Sequence, residues 1–190
     1  VKAVRELLNL KKPELVAGGR YHHFSDLMKL PVSGRAELRD KPLLPIAHPQ
    51  FNPNRDPFGT LRRRDVLLHF PYHDFDNVVK LVQKAARDPL VKRLAITLYR
   101  VAEDSRICEA LIEAVGRGKK VTVFVEVQAR FDERSNLYWG EALEKAGARV
   151  IYSYEHLKVH CKLLLIERRE GRGLKRYAYL GTGNFNERTS

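Results

Sequence analysis

Residues 93–127 read RLAITLYRVAEDSRICEALIEAVGRGKKVTVFVEV, and this stretch decides the fold. Its ends, Arg93 to Tyr99 and Lys120 to Val127, are short runs of aliphatic, β-branched and aromatic residues that suit strands. Between them Ile107, Ala110, Leu111, Ala114 and Val115 recur on one helical stripe from about Ser105 to Val115, and Gly116 and Gly118 supply its stop. Strand and amphipathic helix alternating in this way mark α/β architecture.

The pattern extends both ways. Val66 to Phe70 reads as a strand, and a helix follows from about Asp74 to Arg87, with Phe75, Val78, Val79 and Val82 at i, i+3, i+4 and i+7 and Asp74 as a cap. Downstream, a helix over about Ser135 to Ala146 stops at Gly147, and a strand follows at Arg149 to Tyr152. Val159 to Ile166 and Arg176 to Leu180 then read as two strands joined by the turn Glu170-Gly171-Arg172-Gly173. Upstream of Asp65, short helical patterns at Val4 to Leu8 and Phe24 to Leu30 lead into a stretch with Pro42, Pro45, Pro49, Pro53 and Pro57, which reads as a domain tail and linker. No internal repeat stands out.

The 190 residues are 44% hydrophobic and 31% charged, which excludes collagen-like and disordered classes and allows one domain plus part of another. No apolar run reaches the ~20 residues of a membrane helix. The start, Val1 to Leu10, carries neither an initiator Met nor a signal-peptide pattern and reads as the edge of an internal fragment. Cys108 and Cys161 are too few for a disulfide framework, which fits a reducing cytoplasm. Lys and Arg number 35 against 23 Asp and Glu, a net charge of +12, so the expected partner is polyanionic.

The sharpest local feature is His160-Cys161-Lys162 at the head of an apolar strand. Alternation puts His160 and Lys162 on one face and Cys161 on the other. A neutral imidazole is a competent nucleophile toward phosphorus, and a neighbouring ammonium keeps it unprotonated while attracting phosphate. Alone, the triplet reads more readily as a polar strand end than as a catalytic pair. Downstream, Gly181-Thr182-Gly183-Asn184-Phe185-Asn186-Glu187 suits a turn that offers backbone N–H groups to an anion, or an ordinary loop after a strand. Arg100 and Arg130 each end a strand, where ligands of open α/β sheets bind; ion pairs with a local acid such as Glu126 or Asp132 are the alternative. Arg62-Arg63-Arg64 reads as a solvated linker, and His22-His23 and His69/His73 as structural histidines. Phe131-Asp132-Glu133-Arg134 reads as the start of a capped helix.

A His-x-Lys strand followed by a Gly-Thr-x-Asn loop resembles the half-site of the phospholipase D superfamily, with Glu167 where those hydrolases carry an Asp. The wider chain closely resembles the bacterial polyphosphate kinase family of the phosphohistidine type. The resemblance runs through Gly18 to His22, Arg64 to His73, Ile96 to Arg100, Val121 to Glu126, Ala129 to Glu133, Lys158 to Lys162 and Gly181 to Glu187. It implies an α/β, phospholipase-D-like domain with a mixed β-sheet flanked by helices, preceded by part of another domain. Residues 1–60 would be the end of the family's head domain plus linker, and residues 61–190 the first of two phospholipase-D-like catalytic domains, truncated at its end.

The resemblance further implies reversible transfer of the ATP γ-phosphate to inorganic polyphosphate through a phosphohistidine, with ADP as product and Mg²⁺ as cofactor. His160 matches the phosphorylated position, with Lys162 beside it, and Thr182 and Asn184 join Arg100 and Arg130 as phosphate-binding candidates. Arg100 and Arg130 match positions assigned to the magnesium site; a cation ligating a cation is physically odd, so both are expected on phosphate oxygens. The implied parent is a cytoplasmic homo-oligomer, peripheral at the inner membrane face as an alternative, with no specific nucleic-acid partner. Two rival readings are a phospholipase-D-type phosphodiesterase using the same histidine and a non-catalytic polyanion-binding module.

Overall fold

The computed structural model describes residues 2–15, 18, 34–38, 40–41, 43–129, 133–154, 156 and 158–188. The chain divides into two compact units, Val1–Pro42 and Leu43–Ser190. In the first, α1 (Lys2–Leu7) has no buried residue, and 3-10 turns cover Lys12–Glu14 and Ala36–Leu38. The helical pattern at Phe24 to Leu30 and the His22-His23 pair lie outside the described residues.

The second unit is built on a five-stranded sheet: β1 (Val91–Leu98), β2 (Lys120–Val125), β3 (Arg149–Tyr152), β4 (Lys162–Glu170) and β5 (Gly173–Gly181). Their order is β3-β2-β1-β4-β5; β1, β2 and β3 run parallel, while β4 pairs antiparallel with both β1 and β5. The sheet is therefore mixed, and β1 sits at its centre. On one face α4 (Arg106–Gly116) lies between α3 (Asp76–Arg87) and α5 (Glu133–Lys145). Alternate strand residues meet this layer: Leu94, Ile96 and Leu98 of β1, Val121, Val123 and Val125 of β2, and Leu164 and Ile166 of β4 are all buried. Each such side chain contributes roughly 1.5–3 kcal/mol on leaving water.

Helix ends follow local chemistry. The Ser105 hydroxyl accepts a hydrogen bond from Cys108 N–H and caps α4. Gly118 at φ +76° and Gly147 at φ +99° take the left-handed turns after α4 and α5, a conformation costly for other residues. The hairpin joining β4 and β5 closes through Glu170 paired with Gly173, and Gly171 adopts φ +57°.

Two expectations need correction. Val66 to Phe70 is not a strand: His73 N–H bonds the His69 carbonyl (2.7 Å) and His69 N–H bonds His73 Nδ1 (2.9 Å), so the turn that follows takes up both backbone groups of His69. Its apolar residues Leu68 and Phe70 still pack on the core. In the proline-rich stretch, Pro57 opens α2 (Pro57–Arg63) instead of merely blocking a helix, with Asp56 accepting from Gly59 N–H (2.8 Å). Phe51 and Phe58 are buried, Phe58 against Tyr177 at 5.1 Å, so this segment belongs to the core. Arg62 and Arg63 form the last turn of α2; Arg62 pairs with Glu170 at 3.5 Å and Arg64 bonds Gln50 at 2.8 Å.

Candidate active site

The segment leading into β4 is pinned at successive points. Glu126, directly after β2, accepts a hydrogen bond from Val159 N–H on Oε2 (2.8 Å). Thr97 of β1 donates its hydroxyl to the Cys161 carbonyl (2.7 Å) and accepts from Leu163 N–H (3.0 Å). Lys162, buried, turns Nζ back onto the His160 carbonyl (2.6 Å). The strand begins at Lys162, three residues later than Val159, because the Val159 N–H is committed to Glu126 and ladder pairing starts with Lys162 against Gly181.

His160 stands exposed at this corner, and its ring rests edge-on against Tyr99, with centroids 4.6 Å apart. The Lys162 ammonium lies over the same Tyr99 ring, 4.8 Å from its centroid, and Lys158 Nζ is at 5.9 Å. One aromatic ring thus gathers the imidazole and two ammonium groups, each cation gaining ~0.5–2 kcal/mol from the ring face. Burial pushes the Lys162 ammonium below its ordinary pKa, and Arg100 pushes it the same way against an opposing contribution from Cys161. The Arg100 charge is therefore within electrostatic reach of Lys162.

Arg100 is half-buried just beyond β1. The peptide groups on either side of it are fixed by Asn136 of α5, whose Nδ2 donates to the Tyr99 carbonyl (2.7 Å) and whose Oδ1 accepts from Val101 N–H (3.2 Å). The same Nδ2 donates to the Glu126 carbonyl at 2.9 Å. A single buried amide thus ties the carboxyl ends of β1 and β2 together. Arg130, with Phe131 and Asp132, lies outside the described residues, and α5 starts at Glu133.

The second candidate motif leaves the sheet beside the first. Gly181 pairs with Lys162, so the loop carrying Thr182 and Asn184 begins next to the buried ammonium. Thr182 and Gly183 are exposed and Asn184 is half-buried. The far end of the loop is anchored: Phe185 is buried against Tyr179 (5.2 Å), and Glu187 accepts from Ile107 N–H (3.2 Å) in the first turn of α4. A carboxylate there suits the positive end of the helix. Glu167 is elsewhere: it lies five residues along β4 from Lys162, about 17 Å, and pairs with Arg176 across the hairpin (3.0 Å).

The structure therefore brings His160, Lys162 and Arg100 to one corner, at the carboxyl ends of the parallel strands β1 and β2, with the Thr182–Asn184 loop beginning beside Lys162. Such an edge, lined by two cationic side chains and an exposed imidazole, is suited to an anion. It offers no cage for a divalent metal: among the described residues no three His, Cys, Asp or Glu side chains come together, and Arg100 has donors only. The described residues do not fit a protein-held Mg²⁺. Sequence reasoning missed Tyr99 and Asn136 and weighed Glu126 only as an arginine partner. A Tyr directly before a strand-end Arg was the available signal for the first; Asn136 gave none.

A mixed sheet with its helices laid on one face and a His-x-Lys corner at the end of β4 defines a phospholipase-D-like α/β domain. The sequence model of the family described as "Polyphosphate kinase C-terminal domain 1" matches residues 56–190, and the chain belongs to that family. It is 49% identical over 191 residues to a polyphosphate kinase of Klebsiella pneumoniae and 48% over 193 residues to one of Escherichia coli K12; each alignment covers 100% of this chain. The chain spans 28% of the length of these relatives. The crystal structure of polyphosphate kinase from Porphyromonas gingivalis superimposes with a TM-score of 0.70 at 39% identity, covering 98% of this chain and 31% of that one.

Proposed function

We propose that this chain supplies one wall of the active site of a polyphosphate kinase, in which His160 carries the phosphoryl group. A ring nitrogen of His160 attacks the γ-phosphorus of ATP in line; the N–P bond forms as the bond to the β-phosphate oxygen breaks, and ADP leaves. The terminal oxygen of a polyphosphate chain then attacks the same phosphorus, the N–P bond breaks, and the imidazole is restored with the chain one phosphate longer. Both steps are reversible. Arg100 and Lys162 offset charge on the spectator oxygens, with Arg130, Thr182 and Asn184 proposed as further phosphate contacts. Mg²⁺ in this reading travels with the nucleotide phosphates.

The observation that carries the proposal is the exposed His160 imidazole held on Tyr99, with a buried ammonium on the same ring, in a chain of this family. In this reading the unit Leu43–Ser190 acts as the first of two catalytic domains, and the unit before it as the end of a head domain. The test is an assay of the full-length enzyme with γ-labelled ATP and a polyphosphate primer, beside a phosphodiester substrate and RNA. The expected result is label in chains longer than the primer, no diester cleavage, and loss of elongation in His160→Ala. Diester hydrolysis that depends on His160, or RNA binding that competes fully with polyphosphate whether or not His160 is present, would overturn it.

A further inference from the structure

Among the described residues Glu126 is the only acid in the buried set, 0% exposed. A carboxylate in a core is costly unless donors take its lone pairs. Here three neutral donors from three places in the chain do so: Val159 N–H on Oε2 (2.8 Å), and Gln128 N–H and the Ser153 hydroxyl on Oε1 (both 2.9 Å). Burial pushes the Glu126 carboxyl up, but these donations, with the more distant Lys158 charge, outweigh it and hold the group below the usual carboxylate range. It is a charged hub in the core that organises loops.

The loop that matters is the one with the candidate nucleophile. Val159 precedes β4 and belongs to no strand, so its N–H has no ladder partner, and the Glu126 carboxylate supplies one across 33 residues of sequence. On the other side of His160, its own carbonyl is held by Lys162 and the Cys161 carbonyl by Thr97. Removing the Glu126 bond would take away a backbone tie on the side of His160 away from β4. Displacement of a reacting group by ~1 Å lowers rate about a hundredfold.

We propose that Glu126 is a positioning residue for His160: its Oε2 fixes the Val159 peptide and so sets where the imidazole stands against Tyr99. The proposal rests on the reading of His160 as phosphoryl acceptor, and its test separates the two. In the unmodified full-length enzyme, the Val159 amide should exchange its hydrogen slowly despite lying outside any strand. In Glu126→Gln, which keeps the shape but leaves one acceptor oxygen where two served three donors, transfer of label from γ-labelled ATP to enzyme in a single turnover should slow at least tenfold at saturating ATP. Affinity for ATP should stay within twofold.

Leu143→Ala, a core cavity in α5 away from the corner, is the control for destabilisation and should transfer label at the unmodified rate. A Val159 amide that exchanges like an open loop overturns the proposal. So does a folded Glu126→Gln enzyme labelling within twofold of normal, or equal slowing in Leu143→Ala. If Glu126→Gln does not fold, the amide exchange decides alone. Persistence of label in His160→Ala would instead overturn the reading of His160, whatever Glu126 does.

Discussion

Arg100 swings from a fixed root, because the peptide groups before and after it both bond the Asn136 amide. A fixed root limits where the guanidinium can reach, and a donor placed in advance is what makes an electrostatic contact effective in a transition state. Arg100→Ala in the full-length enzyme should therefore lower turnover by about two decades, equivalent to about 3 kcal/mol of barrier, while shifting the thermal melt little. Steady-state kinetics with parallel melts check this; turnover near that of the unmodified enzyme would remove Arg100 from the site. His160, Lys162 and Arg100 were legible in the sequence because each is marked by neighbours within two or three residues. Glu126 and Asn136 were not, since the bonds that tie them to Val159, Tyr99 and Val101 span 33 to 37 residues, and no local pattern announces them.

At the scale of elements, the helices α3, α4 and α5 were readable because each buries one face and is followed within two residues by an Asp or Gly, and the strands β1 and β2 because their buried residues alternate. Segments whose backbone bonds are settled outside a ladder were read less well. Val66 to Phe70 has the apolar content of a strand, yet the His69 and His73 bonds fold it into a turn. The start of β4 moved by three residues because Glu126 claims the Val159 N–H. α5 contributes more than a packing face: Asn136 joins it to β1 and β2, Ser135 donates to the Val101 carbonyl (2.9 Å), and the Trp139 indole donates to the Ala102 carbonyl (2.9 Å). Asn136→Ala should cost about 3 kcal/mol, since it strands buried donors and acceptors at once. Exposed Leu137→Ala on the same helix should stay within about 0.5 kcal/mol. Denaturant melts of the two variants test the comparison, and equal losses would show that Asn136 ties nothing together.

Over the whole molecule, the site occupies one edge of the sheet, and the chain covers 28% of the relatives' length. If the reaction needs phosphate contacts from a second catalytic domain, these 190 residues should give the circular dichroism of an α/β fold but make no polyphosphate from ATP, Mg²⁺ and primer. Fixed geometry between reacting groups is worth ~7–11 kcal/mol of barrier, and half a site forfeits much of it. Elongation by the 190-residue chain at a rate comparable to the full-length enzyme would show that one wall suffices. The net charge of +12 favours a polyanionic partner without choosing one; the choice proposed above rests on the family motifs, and the fold brings an imidazole and an ammonium to a single corner. The account stands most directly on where the phosphoryl group goes. Full-length enzyme exposed briefly to γ-labelled ATP, digested under alkaline conditions and mapped by mass spectrometry, should carry an acid-labile, base-stable phosphoryl group on His160, absent from His160→Ala. A phosphoryl group on any other residue, or labelling undiminished in His160→Ala, would contradict it.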